Sequence, residues 1–319
     1  GAAFYLNDDY EDAMRYISEE LEISRRILGN EHPETLISIN NMGNLLQVLD
    51  PEKALPFYKE ALDTRLRVLG EKHPRTLNSM NNLGYFFHKQ GKYAEAEKYY
   101  QKVLDIRRQT LSNEHPDTLL SINNMGSLLE DQGHFSIAEP YYREALELRS
   151  KVLQKEHPHL LISIHNLGSL LLRQEKYDEA KPYLLESLAL NRKTLGDNHL
   201  NTLLSIGNMA AWYKRQGLYA EAEPFYRESL ERRRHKLTDR HQYTLYALYD
   251  FTNCLINLQK YDEAEPLAIE CIELNKEVYG IENSETIDAV NLAISLYEAW
   301  EKPEEAQKYR ELLPEDSTN

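Results

Sequence analysis

Apolar residues along this chain fall at helical intervals, and the same arrangement returns many times. After His73-Pro74 they stand at Leu77, Met80, Leu83 and Phe87, steps of three, three and four that line one face of a helix. The same positions are apolar at Leu119, Ile122, Met125 and Leu129, and again at Leu203, Ile206, Met209 and Tyr213. The proline suits the first turn, where its missing N–H has no partner to lose. A polar turn such as Gln90-Gly91-Lys92 follows, and then a second stripe begins. It has an alanine in every copy (Ala13, Ala54, Ala96, Ala138, Ala180, Ala222, Ala264, Ala306) and in most an aromatic three residues on, such as Tyr99, Tyr141 or Phe225. Leu62, Leu104, Leu146, Leu188 and Leu230 extend it. Pro56, Pro140, Pro182, Pro224 and Pro266 follow the alanine by two residues. They predict a second helix beginning near Tyr219 and its counterparts, with the prolines in the first turn.

The copies are spaced regularly. His32-Pro33-Glu34-Thr35 returns as His73-Pro74-Arg75-Thr76, His115-Pro116-Asp117-Thr118 and His157-Pro158-His159-Leu160. Altered copies start at His199, His241 and Asn283, so the step is 41 residues once and 42 five times. A fixed period of this size means stacked helix pairs. The short step is expected to lose its residue at the turn around Asp50-Pro51, where a deletion is best tolerated. Gly43, Gly84, Gly126, Gly168 and Ala210 recur inside the first helix. A mid-helix glycine costs about 1 kcal/mol relative to alanine, so its return implies that another helix approaches closely there.

Glycine, a later alanine and aromatics near the turns form the tetratricopeptide pattern, here at a longer period than the usual ~34 residues. Asn81-Asn82-Leu83-Gly84, then Gly91-Lys92-Tyr93-Ala94-Glu95-Ala96-Glu97, together with the Gly-x-x-His-Pro from Gly70 to Pro74, resemble the repeats of kinesin light chains over nearly the whole chain. Such repeats are also similar to those appended to signalling NTPases and caspase-like proteases. The resemblance implies an all-α solenoid of antiparallel helix pairs in a right-handed superhelix, with first helices lining a concave groove. It also implies a ligand of the kind kinesin light chains take, a tryptophan-containing peptide flanked by acidic residues.

Charge narrows the partner. Lys and Arg total 37 against 52 Asp and Glu, a net charge of −15, which argues against nucleic acid or an anionic membrane. No apolar run approaches the ~20 residues of a membrane span. Two cysteines, Cys254 and Cys271, make no disulfide framework, read as small core residues, and suit a reducing cytoplasm. The histidines before the first helices stand one per repeat, on the order of 10 Å apart by helix packing distances, too far to share a metal ion. Capping or turn roles are expected of them. Arg232-Arg233-Arg234-His235-Lys236 closes a second helix, where positive charge complements the dipole. No phosphate loop, nucleophile elbow or Cys/His pair falls outside the repeat, so neither catalysis nor a cofactor is expected.

The candidate site is polar. Asn41, Asn82, Asn124, Asn166 and Asn208 stand two residues before the small helix residue, with Asn40, Asn81, Asn123 and His165 one position earlier. Asparagine is a mediocre helix former, so its return wants a reason. Side-chain amides can bond an extended peptide backbone in the groove, or they can bond neighbouring helices and hold the stack. Farther along the same face lie Lys89, Arg173, Lys214 and Arg215, with Tyr85 and His88 nearby. These cations favour an acidic ligand, or form a solvated edge interrupted by Glu130 and Asp131. The clamp that chaperone-binding repeats use for a terminal carboxylate fits less well, with Asn40 and Asn44 at its early lysine positions.

The expected organisation is one array over residues 1–313, about seven and a half helix pairs, with a polar tail at 314–319. Residues 1–28 form a partial first unit, cut inside a first helix; further units start near 32, 73, 115, 157, 199, 241 and 283. The last unit, without His-Pro, reads as a cap or a cut edge. The expected function is a non-catalytic scaffold or adaptor that holds a protein or extended peptide. The alternative is a regulatory sensor or oligomerisation arm of a larger signalling NTPase or caspase-like protease.

Overall fold

A computed structural model describes residues 10–313. The truncated first helix expected at 1–9 and the polar tail at 314–319 lie outside the described residues. Every regular element among the described residues is a helix. The first-helix set is α2 (Pro33–Leu49), α4 (Pro74–Lys89), α6 (Pro116–Asp131), α8 (Pro158–Arg173), α10 (Leu200–Lys214), α12 (Gln242–Asn257) and α14 (Ser284–Ala299). The second-helix set is α1 (Tyr10–Leu28), α3 (Pro51–Leu69), α5 (Tyr93–Thr110), α7 (Phe135–Val152), α9 (Tyr177–Leu195), α11 (Tyr219–Lys236), α13 (Tyr261–Tyr279) and α15 (Pro303–Arg310). The chain divides after Leu153 into two compact units, one holding α1 to α7 and the other α8 to α15.

Each first helix begins the same way. The imidazole Nδ1 of His32, His73, His115, His157, His199 and His241 accepts the backbone N–H two residues on, at 3.1–3.2 Å. Asn283 does the same with its side-chain oxygen at 2.9 Å. These side chains are N-caps, each satisfying one of the orphan donors of the first turn. The short repeat leaves only Asp50 between α2 and α3, where α4 and α5 are separated by residues 90–92.

The second helices begin where expected, but their prolines do not lie in the first turn. Pro224 is the sixth residue of α11, and Pro56, Pro140, Pro182 and Pro266 hold the same place in theirs. Each therefore removes an internal helical hydrogen bond. The carbonyl left over is that of Glu52, Ser136, Asp178, Ala220 or Asp262, all exposed, so water can take the place of the missing N–H.

Core packing follows the two stripes with one shift. The repeated alanines from Ala54 to Ala306 are fully buried, whereas Ala13 of α1 is only half-buried. The aromatic three residues beyond the alanine is half-buried or, at Tyr16, exposed. The deeply buried ring is one residue farther on, at Tyr58, Tyr100, Tyr142 and Tyr226. These rings explain the glycines. A Cβ at Gly84 would come within 2.9 Å of Tyr100, and one at Gly126 within 2.8 Å of Tyr142. The ring at the earlier position instead stacks across the hairpin, as in Phe87–Tyr99 at 5.9 Å and Tyr213–Phe225 at 5.7 Å between centroids.

Candidate binding surface

Burial on one side leaves each first helix a second side that its own repeat does not cover. On α4 the exposed or half-buried positions Asn78, Asn81, Asn82, Tyr85 and Lys89 share that side, and on α6 Leu120, Asn123, Asn124, Ser127 and Asp131 do. In the second unit His165, Asn166 and Arg173 occupy it on α8, and Asn208 on α10 with Arg215 just past its end. Asn40 and Asn41 are half-buried on α2. Apart from Arg215, which follows α10, the candidate residues lie within first helices, Lys89 in the first unit and the other three cations in the second.

The amides bond one another. Asn82 Nδ2 donates to Asn40 Oδ1 at 2.9 Å, joining α4 to α2, and Asn124 Nδ2 donates to Asn81 Oδ1 at 2.8 Å, joining α6 to α4. In each case the second asparagine of one repeat reaches the first asparagine of the repeat before. At least part of the ladder's capacity thus holds the stack in the first unit. His165 replaces the first asparagine on α8, and the Nδ2 of Asn208 on α10 is buried with no partner.

Charge is partly spent as well. Lys214 Nζ meets Asp250 Oδ1 at 2.9 Å, and Lys89 Nζ sits 5.5 Å from the centre of the Tyr85 ring. Lys89 and Arg215 are exposed. His88 is not at the surface: it is 6% exposed, with Nε2 2.8 Å from Asp131 Oδ2. Burial lowers its pKa in spite of that carboxylate, so the ring favours the neutral form. Glu130, the other acid that interrupts the basic stretch, accepts from the Tyr142 hydroxyl at 2.8 Å.

The basic run that closes α11 does more than complement the dipole. Arg232 pairs with Glu228 at 2.7 Å, and Arg234 with Glu270 on α13 at 2.6 Å. Arg233 is buried at 7% exposure, donating to the carbonyls of Tyr243 and Leu203. Pattern reading missed this buried position, although its signal was visible: arginine recurs on second helices at Arg65, Arg107, Arg149 and Arg233.

Both cysteines are buried and free. Burial pushes the thiol of Cys254 up to about 11 and that of Cys271 up to about 12. Native protein at pH 8 is therefore expected to resist alkylation, while denatured protein reacts at both sites. Because the folded values are raised, this contribution to stability is complete below the ordinary thiol value of 9.0 and is lost as pH rises towards 11 and 12. Fast alkylation of the native chain would contradict the placement of both residues.

A tetratricopeptide repeat profile matches residues 1–67, 75–151 and 160–235, and a second one matches 244–285. No curated protein matches the sequence. Among solved structures, kinesin light chain-type repeats from Podosopora anserina align with a TM-score of 0.56 at 24% identity, covering 65% of this chain and 98% of that one. BtubC from P. vanneervenii aligns at 0.61 and 22% identity, covering 72% and 92%. A signal transduction ATPase with a tetratricopeptide repeat sensor, from Pyrococcus horikoshii, aligns at 0.68 and 16% identity, covering 95% of this chain and 45% of that one. At these identities the likeness is one of fold.

Proposed function

The chain belongs to the tetratricopeptide repeat family, and from that premise we propose that it is a non-catalytic scaffold that binds an extended protein segment along its first helices. One observation carries this reading: the same helix side stays uncovered in repeat after repeat, lined by amides, an exposed tyrosine and terminal cations. Such a surface offers backbone partners at regular spacing. Acidic ligand residues would complement the exposed charge of Lys89 in the first unit or of Arg215 in the second, each taken by itself, while the net charge of −15 disfavours nucleic acid. No helix among the described residues is long and apolar enough to cross a membrane. The two buried free thiols suit a reducing, cytoplasmic setting.

The test begins with a peptide library panned against the chain, followed by titration of the selected peptide. Tyr85→Ala with Lys89→Glu is expected to weaken binding, most at low salt, because this attraction is screened over roughly 8–10 Å at physiological ionic strength. Asn124→Ala and Asn166→Ala should each weaken it by about 0.5–1.5 kcal/mol per lost hydrogen bond. If all of these bind as the parent does while Glu144→Lys on α7 abolishes binding, the first-helix surface is not the site. The sensor-arm reading shares this surface and differs in what lies beyond it. A neighbouring nucleotide-binding or protease domain in the same polypeptide would favour it.

A further inference from the structure

One position of the second helix is buried in every complete repeat. It is Arg65, Arg107, Arg149, Asn191, Arg233 and Asn275, each 42 residues after the last, and none is more than 7% exposed. Where it is arginine, the guanidinium lies against first helices. Arg107 Nη1 donates to the Asp117 carbonyl at 2.9 Å and to Ser121 Oγ at 2.8 Å on α6, and Nη2 to Asn78 Oδ1 at 2.7 Å on α4. Arg233 Nη1 donates to the Tyr243 carbonyl at 3.0 Å on α12, and Nη2 to the Leu203 carbonyl at 3.2 Å on α10. Arg149 Nη2 reaches the Leu119 carbonyl on α6 at 3.3 Å. At Arg233 the seat is thus a carbonyl in the first turn of one first helix and a carbonyl of its neighbour, and at Arg107 an amide oxygen takes the neighbour's place. No carboxylate side chain bonds the Arg107 or Arg233 guanidinium, which carbonyl and hydroxyl dipoles and an amide hold instead.

Asn191 reaches only the serine of that seat, Ser205, the counterpart of Ser121, and both asparagine repeats have a pocket beside the carbonyls. At Asn191 a pocket of about 220 Å³ lies between α8 and α10, lined by Leu161, Ile162, His165, Asn201 and Leu204 among others. Leu161 and Asn201 stand in register with Leu119 and Asp117, whose carbonyls hold guanidinium groups in other repeats. At Asn275 a pocket of about 220 Å³ is lined by Leu245, Tyr246, Tyr249, Glu285 and Asp288, each 84 residues beyond its counterpart in the first pocket. Ile162, His165, Asn201 and Leu204 are only half-buried, so the first pocket opens on the side of the first helices already assigned to ligand.

A second observation is an acceptor left unused beside the first pocket. Asn191 is 1% exposed, and its Oδ1 has no hydrogen-bond partner. The amide orientation follows from its neighbours. Asn191 Nδ2 is placed to donate to Ser205 Oγ at 2.9 Å and to Ser187 Oγ at 3.3 Å, an orientation that leaves the oxygen as the unused acceptor. Burial also lowers the pKa of His165, so its ring stays neutral and does not oppose a cation. In the second pocket Glu285 and Asp288 add negative charge.

We propose that these two repeats are receptor sites for arginine side chains of a bound segment, which supplies from outside the guanidinium that Arg107, Arg149 and Arg233 supply from within. This rests on the segment-binding reading above and names part of the ligand. Both seats lie in the second unit two repeats apart, on the order of 20 Å by helix packing distances. Two arginines about six extended residues apart would span them.

The experiment titrates N-acetyl-arginine amide and N-acetyl-lysine amide into the isotope-labelled full chain and follows backbone amide shifts. Saturable shifts are expected around Leu161 and Asn201 and around Leu245 and Glu285, with the lysine compound about tenfold weaker or worse, since ammonium lacks the planar fork. Asn191→Arg should fill the first seat from within, removing shifts there while those near Asn275 remain. Asn191→Met, which fills the seat without charge, should do the same and covers the case that the arginine variant folds poorly. Absent shifts, equal shifts from both compounds, or shifts near Leu161 that survive either substitution would overturn the proposal. Its failure is separable from that of the scaffold reading: library peptides that bind without arginine leave the surface standing and remove the seats. Arginine shifts without any selected peptide do the reverse.

Discussion

Tyr142→Ala is expected to lower stability by about 3–5 kcal/mol, the usual cost of deleting a buried aromatic ring. Tyr142 is 2% exposed, and its ring lies where a side chain on Gly126 would have to be, 2.8 Å from an ideal Cβ. Glycine and ring are one device: the missing side chain on α6 makes room for the ring from α7, and the ring fills the contact. Alanine at 142 would leave a void that the glycine opposite cannot fill. Tyr142→Phe keeps the ring and loses the hydroxyl's bonds to Glu130 and Ser127, so about 1–2 kcal/mol is expected. Urea midpoints, with hydrogen exchange in α6 and α7, would measure both. An alanine variant no weaker than the phenylalanine one would show that the ring's packing matters little.

Arg107→Ala should be nearly as costly, about 2–5 kcal/mol for a long buried side chain cut back to Cβ. Arg107 is 1% exposed, the largest of the fully buried side chains. Its loss empties the space between α4 and α6 and takes the guanidinium donor from Ser121 Oγ and Asn78 Oδ1, while the Asp117 carbonyl keeps the Ser121 hydroxyl. Burial already lowers the pKa of this guanidinium, which means the fold holds the cation at some electrostatic cost. Arg107→Met restores most of the volume and removes the charge, and replacing a buried charge by a packed apolar group is often close to neutral. A smaller loss for methionine than for alanine is therefore expected. Equal losses would assign the stabilisation to the hydrogen bonds, and no loss for alanine would contradict the packing described.

Much of the architecture was legible as pattern. The helix pairs, their 42-residue period, the histidine caps and the close approach at Gly84 and Gly126 all depend on local sequence, because caps and stripes act within one or two turns of a helix. So did the place of the missing residue at Asp50. The start of α11 at Tyr219 was legible too, although the proline rule behind it was not: Pro224 lies in the second turn, opposite the exposed residue Ala220.

What a side chain touches one repeat away was decided only by the tertiary structure. A stripe of aromatics three residues after the alanine and one four residues after both fit a helical face, since neighbouring positions differ by about 100° around the axis. The angle at which α6 meets α7 makes Tyr142, not Tyr141, the buried ring. The asparagines were visible as a ladder, but the bonds Asn82–Asn40 and Asn124–Asn81 depend on the offset between successive first helices. Within Arg232, Arg233 and Arg234, three identical side chains, one pairs along its own helix, one reaches the next second helix, and one turns into the interior. Periodicity records which residues share a face of one helix. The distance and rotation between helices determine what that face meets, and those come from packing the whole repeat.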